Sequence, residues 1–177
     1  MHRPTAARQS QKLLGGDELA DRALALYRER FADIGLYENE IYPGIAAILA
    51  ALAASRRRLF VATSKPHIYA DRIIAHFGLA DRFERVFGSE LDGTRADKTE
   101  LLRYALQSSA VDPSSAIMIG DRSHDMIGAR NNGMTAIGVL YGYGSQEELV
   151  GAGAHHICAT PDKLIEHTGI RSAHTGD

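Results

Sequence analysis

The 177 residues contain one cysteine, Cys158, which rules out an internal disulfide and any cysteine-built metal cluster. The cytosol is then the natural compartment. Long apolar runs are also missing: the longest, Ile45 to Ala54, falls short of the roughly 20 residues that span a bilayer. The polar, basic start of the chain lacks the charged-then-apolar order of a secretion signal, so no membrane partner is expected. Neither sign of charge dominates, with 20 Lys and Arg against 22 Asp and Glu and a net charge of -2. With no basic stripe interleaved with aromatics, nucleic-acid binding is not expected as the main role. The one dense basic run, Arg56-Arg57-Arg58, precedes an apolar segment and reads as a solvated helix end. Internal repeats and low-complexity tracts are absent.

What the chain does have is an ordinary globular composition, 45% hydrophobic and 24% charged, enough for one core and a small appendage. Its most informative stretch is Ile117-Met118-Ile119-Gly120-Asp121-Arg122-Ser123-His124-Asp125. An apolar strand here ends at a glycine, and open α/β folds place ligands just past the carboxyl ends of such strands. Asp121 is thus positioned for chemistry. Asp125 lies one helical turn further on and faces the same loop if a helix starts near Ser123, so the two carboxylates suit a magnesium site. The plainer alternative is that Asp121 or Ser123 caps that helix. His124 is expected at the surface, because magnesium prefers oxygen.

The same alternation runs through the rest of the chain. Strands are expected at Leu59–Thr63, Arg85–Phe87, Ala116–Ile119 and Thr135–Val139. Helices are expected at Pro43–Leu52, Pro66–Phe77, Asp97–Gln107 and Ser123–Asn132, with Gly133 as a left-handed stop. Short elements at Gln146–Gly151, Ala154–Cys158 and Pro161–His167 complete one edge. Single helices between strands imply an α/β fold, a parallel sheet with helices on both faces. Upstream, Asp17 to Phe31 carries an apolar stripe of helical period.

Two more stretches join the Gly-Asp-x-x-x-Asp loop. Leu59-Phe60-Val61-Ala62-Thr63-Ser64-Lys65-Pro66 is an apolar run ending in hydroxyls, and Lys98 precedes a helical segment. In that order they resemble motifs two, three and four of the haloacid dehalogenase (HAD) superfamily. Through Thr63-Ser64-Lys65-Pro66, Gly88 to Lys98 and Gly142-Tyr143-Gly144-Ser145, the chain is most similar to the phosphoglycolate phosphatase-like branch. The resemblance implies a HAD-like Rossmannoid core over 42–177 and a partial helical cap over 1–41. It implies a phosphoric monoester hydrolase acting on a small phosphorylated metabolite with Mg2+. Thr63, Ser64 and Lys98 would bind the phosphate, Thr63 and Lys98 would act in catalysis, and Asp121 and Asp125 would hold the metal. Each could also be bland: Thr63 and Ser64 could be helix caps and Lys98 a solvated lysine.

The family's opening is missing. Its members begin with a central strand ending in Asp-x-Asp-Gly-Thr, whose first aspartate attacks phosphorus. Here no acidic residue precedes Asp17 and no apolar run opens the chain. The expectation is a truncated gene or misplaced start codon, a gap in the sheet between the strands ending at Thr63 and Gly120, and an inactive chain. Glu90-Leu91-Asp92-Gly93-Thr94 mimics the motif but reads as a turn, since Gly93 suits a positive φ. The alternative function is a non-catalytic pseudophosphatase binding a phosphorylated ligand or a protein partner. A half cap and a gapped sheet leave a homo-oligomer open.

Overall fold

Between Ile41 and Gly169 the chain alternates strands and helices, as its apolar pattern requires. The computed structural model describes Arg22, Ala23, Leu26, Arg30 and residues 34–169. It divides into two compact units, Met1–Glu40 and Ile41–Asp177. In the first unit Arg22, Ala23, Leu26 and Arg30 are helical, Arg30 pairs with Glu38 at 2.8 Å, and Asn39 Nδ2 donates to the Leu36 carbonyl at 2.7 Å. The rest of the expected Asp17–Phe31 helix lies outside the described residues.

The second unit runs α1 (Ile45–Ala54), β1 (Phe60–Pro66), α2 (His67–His76), β2 (Arg85–Ser89), α3 (Lys98–Ser108), β3 (Ile117–Gly120), α4 (Ser123–Asn131), β4 (Thr135–Val139), α5 (Gln146–Gly151), β5 (His156–Cys158) and α6 (Leu164–His167). Every strand pair is parallel. The strands form two sheets, β1-β2 and β3-β4-β5. Among the described residues β1 and β3 do not pair.

Neighbouring residues of a strand point to opposite faces, and β4 shows what covers each face. Ala136 packs in one cluster with Leu102 of α3, Met126 of α4 and Leu149 of α5. Ile137 and Val139 pack in another with Ile48 and Leu52 of α1 and Leu164 of α6. Helices therefore cover both faces of the three-stranded sheet.

Local chemistry sets the boundaries. Gly44 takes φ 91°, so α1 begins at Ile45 and not at Pro43, since a left-handed residue cannot sit inside a right-handed helix. Asp97 caps α3 by accepting the Glu100 N–H at 3.1 Å. At the end of α4, Gly133 has φ 72°. Its N–H reaches the Arg130 carbonyl at 3.0 Å while the Met134 N–H reaches Ala129 at 2.9 Å, the paired bonds of a Schellman stop.

Candidate active site

Lys98 joins the two halves of the second unit. It occupies the first position of α3, and its Nζ donates to the Ala62 carbonyl of β1 at 2.8 Å. The same Nζ meets Asp125 Oδ1 at 3.0 Å, both side chains being buried. A buried ammonium requires such partners, because desolvation without them is prohibitive. Gly128 of α4 makes room: a Cβ there would come within 2.8 Å of Lys98 Cγ. Asp125 also serves α4, its Oδ2 accepting the Arg122 N–H at 3.2 Å, so its expected proximity to the loop and a capping role coexist.

Asp121 is the first residue past β3. Its Oδ2 accepts the Tyr143 N–H at 2.8 Å. The backbone of 142–144 lies so close to Asp121 that a Cβ on Gly142 or Gly144 would collide with it. Glycine is required at both by this approach. The loop is clamped further by Glu148 of α5, whose Oε1 accepts the Ser123 N–H at 2.8 Å and Arg122 Nε at 3.0 Å. The Ser123 N–H first, and the Arg122 guanidinium next, hold the Glu148 carboxyl down at about 2.

At the end of β1, Thr63 Oγ1 accepts the Lys65 N–H at 3.2 Å, and the Ser64 carbonyl accepts Ser89 Oγ at 3.0 Å. Neither hydroxyl caps α2, whose N-cap Pro66 has no side-chain cap bond. Thr63, Ser64, Lys98, Asp121 and Asp125 line one polar cavity of about 280 Å³. All five residues expected in the site are thus brought together.

His124 lines the same cavity, although its side chain was expected only at the surface; it is 42% exposed, with Nε2 3.8 Å from Asp125 Oδ1. Burial lowers its pKa, Lys98 and Arg122 adding to this against the pull of Asp125. Its place between two site aspartates was the available signal. Glu148 and the Gly142–Gly144 backbone were missed as supports, because nothing local marks a contact made across more than twenty residues. Glu90 and Asp92 do not line the cavity. Their stretch is a turn, closed by Gly93 N–H to the Glu90 carbonyl at 3.1 Å with Gly93 at φ 90°.

Among the described residues no group of three or more His, Cys, Asp and Glu side chains gathers as a metal cluster. The donors present are two carboxylates. Both oxygens of Asp125 are engaged, while Asp121 is held through Oδ2 and leaves Oδ1 for a ligand. That set fits magnesium, which takes one or two carboxylates and completes its shell with water and phosphate oxygens.

Residues 4–139 match the family described as Haloacid dehalogenase-like hydrolase. A 5'-nucleotidase of Pseudomonas aeruginosa is 47% identical over 146 residues, covering 82% of this chain and 66% of that protein. Tyrosine-protein kinase PtkA of Mycobacterium tuberculosis is 35% identical over 164 residues, covering 92% of this chain and 56% of its own. The chain thus spans less than two thirds of the length of these relatives. The crystal structure of a predicted phosphatase from Clostridium acetobutylicum superposes with a TM-score of 0.86 at 41% identity, covering 93% of this chain and 76% of that one. Phosphoglycolate phosphatases also match. Together with the parallel sheets and the gathered motif residues, these likenesses establish that the chain belongs to the haloacid dehalogenase-like hydrolases, in their phosphoglycolate phosphatase-like branch.

Proposed function

We propose that the cavity is the phosphate-handling half of a phosphatase for a small phosphomonoester. One observation carries this reading: Thr63, Lys98 and Asp121, from three separate elements, converge on a single polar cavity. Phosphoryl transfer asks a protein mainly for positioning and charge neutralisation. The Thr63 hydroxyl and neighbouring backbone N–H groups donate to phosphate oxygens. Lys98, aimed by Asp125, neutralises the transferring group. Asp121, supported by Asp125, would hold magnesium, which supplies Lewis-acid stabilisation of phosphate charge when bound. Among the described residues Asp121 and Asp125 are the only carboxylates lining the cavity. On this reading the attacking carboxylate comes from outside the described residues. Residues 1–41 serve as part of a helical cap, and the cytoplasm is the site of action.

The name of the Pseudomonas relative puts nucleoside monophosphates first among substrates to try. With magnesium, the 177-residue chain should release no phosphate from them beyond an Asp121→Asn control, since losing a nucleophile costs on the order of a million-fold. It should nevertheless bind inorganic phosphate in calorimetry, with Thr63→Val and Asp121→Asn each weakening binding by roughly 10-fold. Phosphate binding indifferent to both substitutions would sink the reading. Release that Asp121→Asn abolishes would instead reveal a nucleophile within the chain.

A further inference from the structure

The polar cavity has a floor and a rim. Lys98 and Asp125, with side chains 5% and 7% exposed, lie at the floor. Ser64 and Lys65 of β1 are exposed and the His124 side chain of α4 is 42% exposed, so these residues form the rim of the same cavity. A phosphate held by Thr63, Lys98 and Asp121 sits toward the floor. The alcohol esterified to it must then leave past the rim.

His124 has no evident part in holding the fold. It is the second residue of α4, whose buried residues are Asp125, Met126, Gly128 and Ala129. Other side chains secure the first turn: Asp125 accepts the Arg122 N–H and Glu148 accepts the Ser123 N–H. A basic ring there gains nothing from the helix dipole, which favours acidic groups at this end. Its Nε2 stands 3.8 Å from Asp125 Oδ1, beyond hydrogen-bond range, and that oxygen already meets Lys98 at 3.0 Å. Among the described residues neither ring nitrogen makes a hydrogen bond. The rim thus carries an imidazole whose hydrogen-bonding capacity the protein itself does not use.

We infer that His124 is a specificity residue that hydrogen-bonds a hydroxyl on the organic group of the substrate, so that the site favours phosphomonoesters of polyols and sugars over those of plain alcohols. This rests on the phosphatase reading of the same cavity. A hydroxyl is the matching group because it both donates and accepts, as a neutral imidazole does through its two nitrogens. An apolar chain at the same place would leave those nitrogens unbonded as it displaced their water. A carboxylate on Nε2 would be driven toward the like charge of Asp125, 3.8 Å from that nitrogen.

The test compares glycerol 3-phosphate with propyl phosphate, which share a carbon skeleton and a charge and differ in their hydroxyls. Calorimetry on the full chain with magnesium should show glycerol 3-phosphate binding about 5-fold more tightly, the worth of one hydrogen bond. His124→Ala should bring the two affinities together by weakening glycerol 3-phosphate, with the urea midpoint unmoved. His124→Gln, which keeps a donor and an acceptor, should restore part of the difference. In NMR the His124 ring nitrogens should shift with glycerol 3-phosphate and not with propyl phosphate. Equal affinities in the unaltered chain, or a preference that survives His124→Ala, overturns the proposal and leaves the phosphatase reading standing. Equal weakening of both esters by His124→Ala also overturns it, by placing the ring on the phosphate itself. If neither ester binds up to about 1 mM, the phosphatase reading fails and the proposal falls with it.

Discussion

The two sheets of the second unit are built to different standards of closure. In the three-stranded sheet, Ala136 and Ile137 are fully buried, as are Met126 and Leu149 on the helices that cover it. In the two-stranded sheet, Phe87 and Ser89 of β2 are buried, but Val61 and Ala62 of β1 are only half-buried and Ser64 and Lys65 are exposed. The site divides along the same line. Asp121 and Asp125, beside the closed sheet, each have a carboxylate fixed by backbone N–H groups. Thr63 and Ser64, at the end of the two-stranded sheet, contribute hydroxyls from a strand with one edge unpaired among the described residues. A sheet that lacks a neighbour on one side keeps its geometry but loses burial, and its ligand-binding end loses rigidity with it. Lys98 is the tie between the two.

Breaking that tie should have the largest effect. Lys98→Met leaves Asp125 buried without its cation, and urea unfolding should show a loss of about 3–5 kcal/mol. Adding Asp125→Asn should restore much of it; no recovery would mean that Lys98 acts through packing and not through its charge. The contrast itself is sharpened by paired truncations. Ile137→Ala should cost about 2–5 kcal/mol and Val61→Ala about 1 kcal/mol or less, because only the first empties a closed core. Equal losses would show the open sheet to be as well packed as its partner.

The smallest effect concerns the clamp on the Asp121 loop. Glu148 has a folded-state pKa of about 2 against an ordinary 4.5. Its contribution is therefore fully present above about pH 4.5 and is lost as pH falls toward 2. Glu148→Gln should cost about 1 kcal/mol at neutral pH, a figure discounted because the side chain is 28% exposed. It should also flatten the acid limb of the stability curve, which thermal melts from pH 6 to pH 2.5 would record. An unchanged acid limb would assign the anchoring to Tyr143 alone.

Much of this was legible in the sequence because the signals are local. Gly133 announced the end of α4, Asp97 the start of α3, and the apolar run before Gly120 the strand that presents Asp121. That β1 and β3 stand unpaired among the described residues was legible only through the family's pattern, since periodicity identifies strands but not which of them pair. Pro43 misled about the start of α1 because Gly44 claims a left-handed turn first. Glu148, Gly142 and Gly144 carried no readable role, because their partners lie more than twenty residues away and the contacts are side chain to backbone or glycine to side chain. His124 was discounted on metal preference, an argument silent about whether a side chain lines a cavity.

The shared polar cavity has a thermodynamic consequence. Its walls come from both sheets, and Lys98 bonds the Ala62 carbonyl of β1 and Asp125 of α4, the helix that follows β3. A phosphate held jointly by Thr63 and Asp121 would add a second link between them. Melting of the free chain should then spread over two unequal transitions, the open sheet going first, and saturating phosphate should draw them into one. The ligand would determine whether this half of the molecule unfolds in parts or as a unit.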